Sequence, residues 1–332
     1  MKRILIYNTA AETGGAKTVL DKCYNDCSKD TENQYYFVVG NLIYPETENI
    51  HMLSLGWTKK SWLHRLYCDF FYAQKLIRKL KISEVLSLQN IGLPFCKAFQ
   101  TVYVQNAIPF TEYRFSFQKE RYLWVYQNLI GGMTVHSLKH VDKILVQTQW
   151  MKNAVAHKTG VSPERIDIRR IQTKQPQAIN RFQPEKFRFF YPTSLQSFKN
   201  IDLILDACAI LKEQGVQDYE VVLTINGTEN SYAESLAERI QEEKLPVKLV
   251  GYLNGQQMTE YYQSLALLFP SYVETVGLPL LEAKTYGCQI LAADCAYARD
   301  AVGEYHDVNY FDFRKADQLS QQMLKILQDG KL

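Results

Sequence analysis

The sequence predicts an α/β protein of two domains, each built on a parallel sheet. Three observations carry this. The chain has 332 residues with 46% hydrophobic content, enough for two domains of ordinary size with substantial cores. Its second half alternates short apolar runs with amphipathic stretches, the pattern of strands covered by helices on both faces. Between the halves, at 171–184 (IQTKQPQAINRFQP), periodicity lapses. The expected organisation is therefore a first domain over 1–170, a linker over 171–184 and a second domain over 185–332.

The most informative stretch is 265–294, LALLFPSYVETVGLPLLEAKTYGCQILAAD. Leu265–Phe269 reads as a buried strand closed by Pro270 and Ser271. A loop over Val273–Leu278 holds Glu274, Thr275 and Gly277. Pro279 is suited to a first helical position, because its ring presets φ and its missing N–H is not needed there. Leu280, Leu281, Ala283 and Lys284 are good helix formers, and Gly287 suits a left-handed stop. Gln289–Ala293 is a second strand. A helix that follows a strand and a glycine offers free N–H groups and a positive dipole end to an anion, and Gly277 lets a diphosphate approach the backbone closely. Glu282, one turn in, suits vicinal sugar hydroxyls, as an acidic residue does for ribose in dinucleotide folds. Glu274 would face whatever the diphosphate carries.

In chain order, Arg3–Tyr7 is a strand, Asn8–Gly15 a loop with paired glycines, and Ala16–Cys27 a helix. Gln34–Val39 is a strand. Within 57–81, Trp57, Trp62, Leu63, Leu66, Tyr67, Phe70 and Phe71 recur near helical spacing among seven Lys and Arg. Such a segment suits an anionic bilayer, or else its aromatics enter the core. Glu84–Gln89 and Thr101–Gln105 are strands, each followed by an asparagine, Asn90 and Asn106. Arg121–Ile130 is a helix that Gly131 and Gly132 should break. Val141–Val146 is a strand, with Thr148 as N-cap of the helix behind it. The second half continues with strand Phe187–Tyr191, helix Asn200–Glu213, strand Glu220–Ile225 and helix Ser231–Glu243. Strand Val247–Val250, helix Gln256–Ser264 and a last helix, Lys315–Leu327, complete it.

Composition narrows the classes. No run of about 18 apolar residues exists, so no transmembrane helix is expected, and MKRILIYN reads as a first strand rather than a signal peptide. Seven cysteines without C-x-x-C spacing point to a reducing cytoplasm and no structural metal. Residues 1–170 carry 23 Lys and Arg against 14 Asp and Glu, and residues 171–332 carry 15 against 21. The first half should thus meet an anionic partner or surface, and no nucleic-acid motif is present.

The string P-S-x-x-E-T-x-G-L-P-L-L-E-A, followed by Gly287 and an apolar strand, resembles the nucleotide-sugar motif of glycosyltransferase family 4, a retaining family with the GT-B fold. The resemblance is strong over the second half and weak over the first. It implies two Rossmann-like domains facing a cleft, with the donor on the second domain and the acceptor on the first. It implies a nucleoside diphosphate sugar as donor, bound by Gly14, Gly15, Thr275, Val276, Gly277, Leu278 and Glu282. Lys199 and Glu274 would be the catalytic residues, and Gln105 and Asn106 would lie on the acceptor side. Two positions depart from the family pattern: Ser194 stands where an arginine is usual, and Gln105 where many relatives have histidine. Glutamine cannot act as a general base. The family also closes with a helix returning to the first domain, for which Lys315–Leu327 is short. With no D-x-D, no metal or other cofactor is expected. The expected activity is retaining, hexosyl-type transfer to a glycan or lipid-linked glycan in surface polysaccharide synthesis, lipopolysaccharide or capsule, at the inner face of the membrane. A sugar-nucleotide epimerase or hydrolase, and a non-catalytic sugar-nucleotide-binding protein, are the alternatives.

Overall fold

The computed structural model describes residues 1–171, 187–264 and 266–329. Two compact units divide the chain, Met1–Arg170 and Ile171–Leu332. The segment expected as a linker, 171–184, lies outside the described residues except for Ile171.

The first unit is a seven-stranded sheet: β1 Arg3–Asn8, β2 Gln34–Val39, β3 Ile50–Ser54, β4 Glu84–Ser87, β5 Phe99–Tyr103, β6 Lys143–Val146 and β7 Ile166–Ile168. Their spatial order is β3-β2-β1-β4-β5-β6-β7, and every pairing is parallel. The second unit is a six-stranded parallel sheet of β8 Phe187–Tyr191, β9 Tyr219–Leu223, β10 Val247–Leu249, β11 Ala266–Phe269, β12 Ile290–Ala293 and β13 Val308–Phe311, in the order β10-β9-β8-β11-β12-β13. In each sheet the strand that comes first in sequence lies third in spatial order, and the winding reverses beside it.

Burial explains why these segments are strands. Neighbouring residues of a strand point to opposite faces. Leu5 and Tyr7 join a core with Leu76, Ile77 and Val85, whereas Ile6 joins a second core with Leu20, Cys23 and Phe37. Both faces are covered, so β1 reads as a continuous apolar run rather than an alternation. In the second unit all residues of β11 and β12 are buried, and helix Ile201–Glu213, with seven buried positions, packs against helix Ala316–Asp329.

Several elements differ from expectation. Helix Gly14–Cys27 begins two residues early, with Gly14 at φ +64°. Gly131 and Gly132 do not break their helix. It continues from Arg121–Val125 through a π-turn, Tyr126–Ile130, into Gly131–Lys139. A Cβ on Gly131 would lie 3.2 Å from the Pro109 ring, so glycine serves close packing there. The aromatic segment forms Trp62–Tyr67, a π-turn Cys68–Tyr72 and Ala73–Lys79. Its inward side chains are Cys68, Ala73, Leu76 and Ile77, and most of its aromatics lie outside the core. The π-turn also places Asp69 against Tyr7, whose hydroxyl donates to it at 2.6 Å. Strands β3, β7 and β13 and helix Ala296–Val302 had no expectation attached, and the strand expected over Thr101–Gln105 ends at Tyr103.

Candidate functional site

Parallel strands deliver all their C-terminal ends to one edge, and open α/β sheets bind ligands there, where the winding reverses. In the second sheet that point lies between β8 and β11. The loop after β8 carries Lys199 and the loop after β11 carries Glu274. The two meet: Lys199 Nζ is 2.5 Å from Glu274 Oε1, with each side chain 17% exposed.

The pair is held from several sides. Ser271, fully buried just after β11, has its hydroxyl 2.9 Å from the same Glu274 oxygen and 3.2 Å from the Phe198 carbonyl, acceptors that share its single proton. The Tyr272 N–H donates to the Phe198 carbonyl at 3.0 Å, and the Tyr191 hydroxyl to the Lys199 carbonyl at 2.9 Å. The buried Tyr297 hydroxyl donates to the Ser271 carbonyl. Lys199 ends a 3-10 turn, Ser197–Lys199. Asn200 follows in the left-handed region at φ +60°, its amide donating to the Phe313 and Pro270 carbonyls at 2.9 and 3.3 Å. Lys199, expected to neutralise a diphosphate, is here in an ion pair with Glu274.

Helix Leu278–Thr285 begins one residue before Pro279, and Gly277 caps it at φ +70°, ψ +52°. A Cβ on Gly277 would meet Leu280 Cδ1 at 3.1 Å and the Tyr297 ring at 3.3 Å, in a conformation that L side chains rarely adopt. Val276 is buried and Leu278 is exposed. Thr275 lies on the loop, half-buried. Gly287, also left-handed, follows the helix. Glu282 sits half-buried in this helix. Burial pushes its carboxyl above the usual range, and the neighbouring Tyr262 phenol partly offsets that. The Tyr262 hydroxyl is buried and forms no hydrogen bond among the described residues. After β9, the Glu229 carboxylate accepts from the N–H groups of Asn226, Gly227 and Thr228 at 2.6, 2.9 and 3.1 Å, which holds it below the usual carboxylate range. That edge therefore already contains a ring of N–H groups able to take an anion.

In the first unit, Gly14 and Gly15 follow β1, are exposed, and have open space where a Cβ would stand. Gln105 braces neighbouring loops: its N–H donates to Asn90 Oδ1 at 2.5 Å and its side-chain amide to the Leu88 carbonyl at 2.9 Å. Asn106 caps its own turn, accepting from the Ile108 N–H at 2.8 Å. The winding reversal lies between β1 and β4. There Asn8 Nδ2 and Gln89 Nε2 are buried without hydrogen bonds among the described residues. The sequence reading did not single these two out, nor Ser271, Tyr262 or Tyr297. Ser271 had a signal, being the first polar residue after an apolar run and a proline. Among the described residues no cluster of His, Cys, Asp and Glu could hold a metal ion, and no helix is long and apolar enough to cross a membrane.

Comparison with known proteins bears on the unit that holds this edge. Residues 172–332, which contain every second-unit residue named above, match the family model described as Glycosyl transferases group 1. The match covers the second unit and leaves the first outside it. Over 141 residues it is 27% identical to the O-antigen chain mannosyltransferase B of Escherichia coli, a match that spans 42% of this chain and 36% of that protein. Among solved structures, the apo form of the lipopolysaccharide outer core galactosyltransferase WaaB is similar over 99% of this chain and 91% of its own, with a TM-score of 0.70 at 14% identity. The sucrose-phosphate synthase of Thermosynechococcus elongatus is similar over 99% and 90%, with a TM-score of 0.73 at 13% identity. Anabaena HepE, solved in complex with UDP-glucose, is similar over 100% and 91%, with a TM-score of 0.68 at 12% identity. The fold, two α/β units with parallel sheets, is that of GT-B glycosyltransferases.

Proposed function

We propose that the protein is a retaining, metal-independent glycosyltransferase. It moves a sugar from a nucleoside diphosphate sugar to a glycan or lipid-linked glycan of a surface polysaccharide. The observation that carries this is the Lys199–Glu274 pair at the winding reversal of the domain that matches the group 1 model, beside the Gly277-capped helix. The relatives' names, which include lipopolysaccharide and O-antigen enzymes, favour that acceptor class.

The slow step is departure of the diphosphate, because negative charge grows on it. Lysine has three N–H donors and Glu274 takes one. An arriving diphosphate gives Lys199 a second anion while the pair persists, since Lys199 has donors to spare. Glu274 keeps one oxygen on Lys199 and offers the other to the hydroxyls of the transferred sugar. The N–H groups of the Leu278–Thr285 helix add to stabilisation of the leaving group. Among the described residues of the second unit no side chain is assigned as a covalent nucleophile in this scheme, so transfer is front-face, with the leaving phosphate helping to deprotonate the acceptor. Glu282 holds the ribose. The cationic aromatic segment 57–81 would keep the enzyme at an anionic membrane, on the cytoplasmic side where nucleotide sugars are made.

The test is a panel of nucleoside diphosphate sugars with saccharide and lipid-linked acceptors, read as release of nucleoside diphosphate and as glycosylated product. Product that retains the donor's anomeric configuration supports the reading. Free sugar or an isomer formed from donor alone replaces it with a hydrolase or epimerase, and donor binding without turnover replaces it with a binding protein.

A further inference from the structure

The helical run over 62–79 has two apolar sides. One is used by the fold, through Cys68, Ala73, Leu76 and Ile77. The other faces solvent: Trp62 is 61% exposed, Leu63 71%, Tyr67 55% and Phe71 66%. Leu63, Tyr67 and Phe71 succeed one another at four-residue steps, so they stack along one face. Folding of this unit gives that face nothing to bury, which is unusual for so many large side chains together.

A second element joins the same face. The loop after β4 turns Leu93, Cys96 and Ala98 toward the core, while Phe95 is 81% exposed. Phe95 has φ +56°, a region a bulky residue seldom occupies. The backbone is thus strained at the residue whose ring is turned outward. The loop is tied to the helix, because the Gln74 amide donates to the Pro94 carbonyl at 2.6 Å. The Phe95 ring lies 6.2 Å from that of Phe70, Phe70 lies 6.4 Å from Phe71, and Phe71 lies 5.8 Å from Tyr67. The rings therefore form one connected patch drawn from two parts of the chain.

The surroundings are cationic. Lys60, Lys75, Arg78, Lys79, Lys81 and Lys97 are exposed around it. Between Lys59 and Lys81 the sequence has one carboxylate, Asp69, and that one accepts from Tyr7. A second copy of the chain is a poor occupant, since a two-fold contact would set these cations against themselves. Aromatic and aliphatic side chains ringed by lysine, without exposed carboxylates in the segment, match an anionic lipid surface.

We propose that this patch is a membrane-docking surface for anionic lipid, with Phe95 as a wedge that enters the acyl boundary beside Leu63, Tyr67 and Phe71, under a collar of lysines. The inference deepens the membrane part of the function proposed above and rests on it only for the biological setting. None of its residues belongs to the donor edge, so the two ideas fail separately.

Flotation of the purified protein with vesicles of phosphatidylcholine, with and without phosphatidylglycerol, tests it. The wild-type chain should float with the anionic vesicles and be released as salt is raised. Phe95→Gly, which also relieves the positive φ, should weaken binding roughly tenfold or more while leaving Tm unchanged or raised. Lys75→Glu with Lys79→Glu should abolish the preference for anionic lipid. Nucleoside diphosphate binding, measured on the same samples, should not change. Failure of the wild-type chain to float, or wild-type flotation of Phe95→Gly, overturns the proposal. So does a concentration-dependent dimer that Phe95→Gly dissociates, which would assign the patch to a second copy of the chain. Loss of nucleotide binding in wild-type protein would instead strike the transferase reading and leave the docking surface standing.

Discussion

Lys199 and Glu274 are 75 residues apart in sequence, yet their side chains meet at 2.5 Å because β8 and β11 are neighbours in the sheet. A lysine on a diphosphate and a glutamate on a sugar would act independently. A paired lysine and glutamate answer to each other.

Non-additivity follows. Lys199→Ala should lower transfer by roughly 10²–10³, by analogy with removing one donor to a developing anion. Glu274→Gln should also depress transfer while sparing nucleoside diphosphate binding, since its partner exists only on the intact donor. The double variant should be little worse than Lys199→Ala alone, because residues in one ion pair do not contribute independently. Steady-state kinetics on the three variants decides this. Costs that multiply would mean that the pair separates before it acts, and wild-type turnover in Lys199→Ala would remove it from the mechanism.

Glu282 gives a prediction with opposite signs for stability and binding. Its carboxyl is raised by burial, so the folded state holds the proton to higher pH than the unfolded chain does. Stability from this group is present below the unfolded value and is lost as pH rises through the folded one. Glu282→Gln should therefore leave Tm at neutral pH unchanged or higher. Its affinity for nucleoside diphosphate should fall by about 1 kcal/mol, the difference between a charged and a neutral acceptor. Calorimetry at neutral pH, paired with thermal melts from pH 4 to 8, tests both halves. A lower neutral Tm with unaltered affinity would make Glu282 a structural residue.

Gly277→Ala should destabilise the second unit by about 1–3 kcal/mol, the cost of holding a side chain at positive φ. The added methyl would also press on Leu280 and Tyr297, at 3.1 and 3.3 Å. Tyr297 in turn supports Ser271 beneath Glu274, so transfer should fall further than stability alone explains. Denaturant melts and rates on the same preparation separate the two effects.

Chelation should leave transfer intact, since Lys199 and the helix N-terminus are proposed to carry the charge of the leaving group. Loss of activity in EDTA, with recovery on magnesium or manganese, would overturn that account.

The second half was the more legible in sequence. Pro279 and Gly287 bracket a short helix between two wholly buried strands, so punctuation and burial agree. The first half hides more. Strand β3 (IHMLS) has no continuous apolar run, and β7 is three residues long. The Gly131-Gly132 pair reads as a helix break until Pro109 is found against it. The outward side of 62–79 was ambiguous for a related reason: helical spacing fixes that a face is apolar but not which of two apolar faces turns inward. At the donor edge the separate residues were legible in one motif and one lysine. Their pairing was not, because it depends on which strands become neighbours. Tyr262 beside Glu282 was hidden for the same reason.

The two sheets share no strand among the described residues: β1–β7 end by Ile168 and β8–β13 begin at Phe187. During synthesis, then, the first sheet needs nothing that the ribosome has yet to make. Each unit's earliest strand is an interior one, to which later strands add on either side. Domains generally fold as units, the N-terminal one first. A nascent chain arrested past Arg170, with the ribosomal tunnel cleared, should already resist protease over the first unit while most of the second is still untranslated.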